Sequence, residues 1–87
     1  MRESTIEKAV NKHARSLGWL AYKFSSPNQR GVPDSLYIKG GIVFFIEYKA
    51  PGKKLRPLQA MVVSRMRDNG AVVHVIDSIE QGVDIFF

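Results

Sequence analysis

The chain contains no cysteine. Disulfides and thiolate zinc centres are therefore excluded, and a reducing, cytoplasmic setting is expected. No stretch approaches the ~18 consecutive apolar residues of a membrane span. The start, Met1-Arg2-Glu3-Ser4-Thr5, leads into an amphipathic pattern rather than a signal-peptide apolar run, so no membrane partner is expected. Internal repeats, low-complexity tracts and glycine-rich phosphate loops of the Walker or Rossmann form are all absent. Only two histidines occur; His13 borders a helical apolar stripe and His74 sits in a β-branched run, so each reads as packed or partly exposed rather than as a ligand. The single tryptophan, Trp19, reads as core. Acidic residues are outnumbered, 8 Asp plus Glu against 13 Lys plus Arg, for a formal charge of +5. That balance suits a polyanionic partner.

What is present describes one small globular domain spanning residues 1–87, with 45% hydrophobic and 24% charged residues. A chain this short buries a modest core and is often helped by association. Residues 3–17 predict a first helix, with Ile6, Ala9, Val10, Ala14 and Leu17 at helical spacing and Gly18 as its stop. Ser4-Thr5-Ile6-Glu7 has the form of a capping box, which makes Glu7 a capping glutamate on local physics alone. A β-prone run from Trp19 to Phe24 predicts the first strand, and the polar stretch 25–30 a loop. Gly31 and Pro33 then prepare the backbone just before Asp34.

Ser35-Leu36-Tyr37-Ile38-Lys39 and Ile42-Val43-Phe44-Phe45-Ile46 flank Gly40-Gly41, a hairpin signal because such two-residue turns need positive φ. That register sets Ile38 against Val43, Leu36 against Phe45 and Asp34 against Glu47, on one face at Cβ separations of about 4.5–5.5 Å. Lys49, two residues on, points to the same side. Both faces of the hairpin carry apolar residues, which predicts strands covered on both sides. Two carboxylates repel when brought together, and a divalent cation with oxygen ligands is the commonest reason for such a pairing.

The stretch 50–56 is a basic loop, and Pro57 fits the first position of a second helix with Leu58, Met61, Val62 and Met66 as its buried stripe and Asn69-Gly70 as its end. Ala71–Ile76 predicts a further strand, which a right-handed crossover places parallel to the third. Residues 77–81 predict a turn or a helical turn. The apolar end, Ile85-Phe86-Phe87, either completes the core or meets a partner subunit. The expected fold is thus α/β, in the order α-β-β-β-α-β, with a mixed central sheet flanked by helices.

Pro33-Asp34 followed, after a spacer, by Glu47-Tyr48-Lys49 resembles the signature of the restriction-endonuclease-like, PD-(D/E)XK, nucleases. More narrowly, Arg30-Gly31-Val32-Pro33-Asp34, Glu47-Tyr48-Lys49-Ala50-Pro51-Gly52 and Pro57-Leu58-Gln59 resemble the virus-type replication-repair nuclease (VRR-NUC) family, over nearly the whole chain. The resemblance implies a restriction-endonuclease-like core. It makes Asp34 and Glu47 metal-binding acids joined by the Tyr48 backbone carbonyl, Lys49 the catalytic lysine and Gln59 the family's helix glutamine. It also implies a first-helix acid, for which Glu7 is the first choice and Glu3 the competitor. Tyr48 departs from the family's common aliphatic residue, with a side chain expected to point away from the site.

The implied cofactor is Mg²⁺ or Mn²⁺, and Lys23, Arg30, Lys53, Lys54 and Arg56 are the expected phosphate contacts. The implied activity is structure-selective endonucleolytic cleavage of Holliday-junction or other branched double-stranded DNA by a homodimer, and stand-alone members of this size resemble phage-encoded enzymes acting in the host cell. Flap or nicking cleavage on the same site is the alternative within the superfamily. A basic nucleic-acid-binding module with merely structural acids is the alternative outside it.

Overall fold

Gly40 and Gly41 take φ angles of +55° and +83°. Two successive positive values form a type I′ turn, whose twist matches the strands it joins. In the computed structural model, which describes residues 1–87, this turn closes the hairpin of β2 (Ser35–Lys39) and β3 (Ile42–Tyr48). The register is the expected one, with Ile38 opposite Val43 and Leu36 opposite Phe45. Strand β1 (Leu20–Lys23) pairs antiparallel with β2, and β4 (Val73–Ile76) pairs parallel with β3. The four strands therefore make one mixed sheet in sequential order. Helix α1 (Glu3–Ser16) precedes the sheet, α2 (Pro57–Asp68) forms the β3–β4 crossover, and α3 (Ile79–Ile85) follows β4. The molecule extends 32 × 32 × 21 Å.

One face of the sheet carries the core. Ile6, Val10 and Ala14 of α1 pack with Tyr37, Phe44, Ile46 and Tyr48, joined by Trp19 and Phe86. Phe86 sets its ring edge-on to Trp19 and to Tyr37, so the apolar chain end completes the core. Phe87 is exposed, but its carbonyl oxygen accepts bonds from Trp19 Nε1 at 3.1 Å and Lys39 Nζ at 2.9 Å. Helix α1 ends as expected at Gly18, where φ is +90°. The amides of Gly18 and Trp19 reach back to the carbonyls of Arg15 and Ala14, the two bonds of a Schellman motif.

The structure corrects the sequence reading in four places. Helix α1 starts at Glu3 as expected but without the expected cap: Arg2 is the N-cap with no side-chain bond, Ser4 and Thr5 lie inside the first turn, and Glu7 caps nothing. Second, the turn or helical turn expected over residues 77–81 is a helix over 79–85 that runs on through Gly82. Gly82 reads locally as a breaker, yet a Cβ there would lie 2.4 Å from Val10 Cγ2 and 2.6 Å from Ile76 Cδ1, so the glycine lets α3 settle against α1 and packing overrides propensity. Third, α2 turns Gln59, Val62 and Val63 inward and leaves Leu58 and Met61 exposed. Fourth, the second face of the sheet is only partly covered: α2 packs by β4, while Leu20 and Tyr22 of β1 and Val43 at the start of β3 remain about half exposed.

Candidate active site

The site forms where the hairpin opens, opposite its turn. Gly31 (φ +88°) passes so close to α2 that a Cβ would stand 3.2 Å from the Leu58 carbonyl oxygen. Pro33 is fully buried. Together they fix the entry of Asp34, whose carbonyl accepts the Phe24 amide at 2.8 Å and whose Oδ1 accepts the Ser35 hydroxyl at 3.1 Å. Across the hairpin, Glu47 is 5% exposed, near the end of β3. The first turn of α1 adds Glu3. Carboxylate oxygens of Glu3, Asp34 and Glu47 all lie within 4.8 Å of one another.

Crowding and burial shift these acids. Burial raises the Asp34 carboxyl above its ordinary value against the opposing pull of the Ser35 bond and the Lys23 charge, while Glu7 and Glu3 push the same way as burial. Glu47 is pushed up to about 7, chiefly by burial and then by the Asp34 charge, with Lys49 opposing. A group that must hold negative charge against such neighbours is suited to a cation.

Lys49 lies beside the acids and is almost fully buried. Its Nζ donates to Gln59 Oε1 at 2.8 Å, and the same oxygen accepts the Arg56 amide at 3.0 Å. With Oε1 held by two donors, the Gln59 amide nitrogen faces Glu47 Oε2 at 3.4 Å. Gln59 therefore bridges the lysine and the acid, and it does so because α2 is rotated to bury it. The exposure of Leu58 and Met61 and the anchoring of Lys49 have one cause.

Glu7 lies one turn beyond Glu3 and is outside the three-acid cluster; it pairs with Lys23 Nζ at 2.6 Å. Lys23 keeps 70% of its side chain exposed, and although partial burial lowers its pKa, the bond and charge of Glu7 leave it raised. Arg30, Lys53, Lys54 and Arg56 are exposed. Lys53 and Lys54 line a cavity of about 460 Å³ with Leu55, Val75, Ile76, Asp77 and Gln81. Val75 is the register partner of Glu47, so this cavity adjoins the acids on the β4 side. The loop carrying the lysines is pinned by the Gly52 amide, which donates to Asp77 Oδ2 at 3.0 Å. His13 and His74 stand apart from the cluster. His74 meets the Phe44 ring edge-on, and burial followed by the Arg67 charge lowers its pKa.

Sequence reasoning missed a polar chain behind the site. Tyr48, between Glu47 and Lys49, projects to the opposite face and is fully buried. Its hydroxyl meets the Tyr37 hydroxyl, and Tyr37 donates to Asn11 Oδ1 at 2.5 Å. Burial is the main reason both phenols titrate high, Tyr37 at about 12, so both stay protonated. The tyrosine in place of an aliphatic residue at position 48 was the available signal.

A four-stranded mixed sheet with an acid at the open end of a hairpin, a second acid and a lysine on β3, and a third acid from the preceding helix defines a restriction-endonuclease-like core. No family model matches the chain. It is 44% identical over 79 residues to "Putative nuclease p44" of Acyrthosiphon pisum secondary endosymbiont phage 1, covering 90% of this chain and 85% of that protein. A solved structure described as a "VRR_NUC domain" superposes with a TM-score of 0.87 at 30% identity, over 95% of this chain and 91% of the other. The chain belongs to the VRR-NUC nuclease family. No helix is long and apolar enough to cross a membrane.

Proposed function

We propose that the protein is a divalent-metal-dependent endonuclease that hydrolyses phosphodiester bonds of branched DNA, with four-way junctions as the leading substrate and a homodimer as the working form. One observation carries the reading: carboxylates from α1, from Asp34 at the end of the β1–β2 connection and from β3 converge within 4.8 Å beside a lysine anchored by Gln59. The donor set fits Mg²⁺ or Mn²⁺, because it offers oxygens only, from acids whose burial and then mutual repulsion raise Glu47 to about 7. Glu3, Asp34 and Glu47, with the Tyr48 carbonyl, would hold the ion. Bound there, it supplies Lewis-acid chemistry, acidifying a water and offsetting charge on the phosphate.

The chain's own groups do the rest. Lys49, its ammonium aimed by Gln59, orients the attacking water and offsets charge as the oxygen adds to phosphorus. The P–O3′ bond breaks, leaving a 5′-phosphate and, once protonated, a 3′-hydroxyl. Lys53 and Lys54, on the pinned loop next to Glu47, contact flanking phosphates without reading bases, with Arg30 and Arg56 beyond them. Lys23 is available for the same work only when it leaves Glu7. The two-fold reading is supported by the open, uncharged sheet surface of Leu20, Tyr22 and Val43, and a symmetric pair presents two sites to two strands.

The test is cleavage of labelled four-way, flap, splayed and linear DNAs with Mg²⁺, Mn²⁺ or EDTA, beside light scattering. Metal-dependent cutting favouring the four-way junction, lost in Asp34→Ala while DNA binding persists, is the expected result. No cleavage of any substrate with either metal refutes the activity, and a monomer at working concentration refutes the dimer.

A further inference from the structure

Glu3, Glu7, Asn11 and Arg15 are spaced four apart, which aligns them along one side of α1. Three of them make a directional polar contact with the sheet. Glu7 pairs with Lys23 of β1, Asn11 accepts from Tyr37 of β2, and Arg15 Nη2 donates to the Ala21 carbonyl of β1 at 2.9 Å. The fourth, Glu3, enters the acid cluster instead. Apolar packing by Ile6, Val10 and Ala14 holds α1 on the sheet but is non-directional, and so leaves rotation and axial slip weakly determined. Hydrogen bonds at spaced points supply that determination.

The middle contact differs from its neighbours because it continues inward. Tyr37 has one hydroxyl hydrogen, and it goes to Asn11 Oδ1. Tyr48 must therefore donate to the Tyr37 oxygen, which gives the chain a single direction, Tyr48 to Tyr37 to Asn11. Tyr48 is also the residue between Glu47 and Lys49, so this chain joins the strand that carries the buried acid and the lysine to the helix that carries Glu3. We infer that Tyr48, Tyr37 and Asn11 are positioning residues that hold α1 in the register at which Glu3 completes the acid cluster, so that the affinity of the cluster for a divalent cation depends on a phenol chain on the far side of the sheet.

This inference rests on the metal-binding reading of the acids but not on DNA cleavage. It is tested by calorimetric titration of Mn²⁺ into the full chain, without DNA, as a double-mutant cycle. Tyr48→Phe removes one hydroxyl and leaves the ring. It is expected to weaken Mn²⁺ binding about tenfold when Glu3 is present and less than twofold in a Glu3→Gln background. Asn11→Ala breaks the chain at its half-buried end without disturbing the core, and is expected to show the same dependence on Glu3. Amide hydrogen exchange of the metal-free variants is expected to accelerate in the first two turns of α1 while β3 stays protected. Equal weakening with and without Glu3, or none in either background, overturns the inference. Intact Mn²⁺ coupling in a protein that cuts no DNA would remove the nuclease reading and leave this one standing.

Discussion

In the cation-free protein, Glu47 is a liability whose size depends on pH. Its carboxyl titrates near 7 in the folded chain against 4.5 ordinarily. The folded state therefore keeps a proton that the unfolded chain releases, and rising pH favours unfolding through that window. Below about pH 4.5 the group contributes no penalty; above about pH 7 the penalty levels off at up to about 3 kcal/mol. Glu47→Gln removes the titration while keeping the shape and an acceptor for Gln59. In EDTA, the variant and the wild type are expected to melt alike near pH 4.5. At pH 8 the variant is expected to be the more stable, by roughly 10 °C or more at about 4–8 °C per kcal/mol for a domain of this size. A cation removes the difference: at about a hundred times its dissociation constant it adds about 2.7 kcal/mol to the wild type and little to the variant, and at about a thousand times it adds about 4.1 kcal/mol, which reverses the order. The assay is thermal melting from pH 4.5 to 8 with EDTA or Mg²⁺. A wild type as stable as Glu47→Gln at pH 8 in EDTA would refute the argument that burial and Asp34 strain this acid.

Gly82→Ala is expected to destabilise the fold by up to about 2 kcal/mol, because overpacking of about 1–3 kcal/mol outweighs about 1 kcal/mol of helix propensity. The Ile76 methyl can swing aside, but the β-branched Val10, at 2.4 Å, is held by its helix, and denaturant melts check the sign. Lys53→Ala and Lys54→Ala are each expected to lower the slope of log affinity for duplex DNA against log salt by about 0.9 if each neutralises one phosphate. Binding isotherms across a salt series read that slope, and an unchanged slope would take the two lysines off the DNA path.

The hairpin was legible because its determinants are local. Gly40-Gly41 allows the turn that pairs Leu36 with Phe45, and the same register carries Asp34 towards Glu47. The parallel β4 followed from the handedness of crossovers, and the Pro57 start of α2 from proline's tolerance of a first turn. What was not legible depends on how whole elements sit on one another. The resemblance makes Glu7 the first choice of helix acid and Glu3 the competitor, and only the placement of α1 across the sheet puts Glu3 in the cluster and Glu7 against Lys23. Periodicity chose Leu58 and Met61 for the buried stripe of α2, whereas the need of Lys49 for a partner turned Gln59 inward. The final helix was hidden because Gly82 looks like a breaker until Val10 is seen beside it.

The extents of the molecule bear on how such a small enzyme meets DNA. Its longest dimensions, 32 Å, are close to one turn of B-form duplex, about 34 Å. Laid along one arm, the chain spans that turn and has little surface left to touch another. Recognition of a branch by a lone chain is thus confined to the arm it sits on and the few nucleotides at the crossing. If the substrate is a four-way junction, matched incisions on opposite strands would call for a second chain holding a second arm.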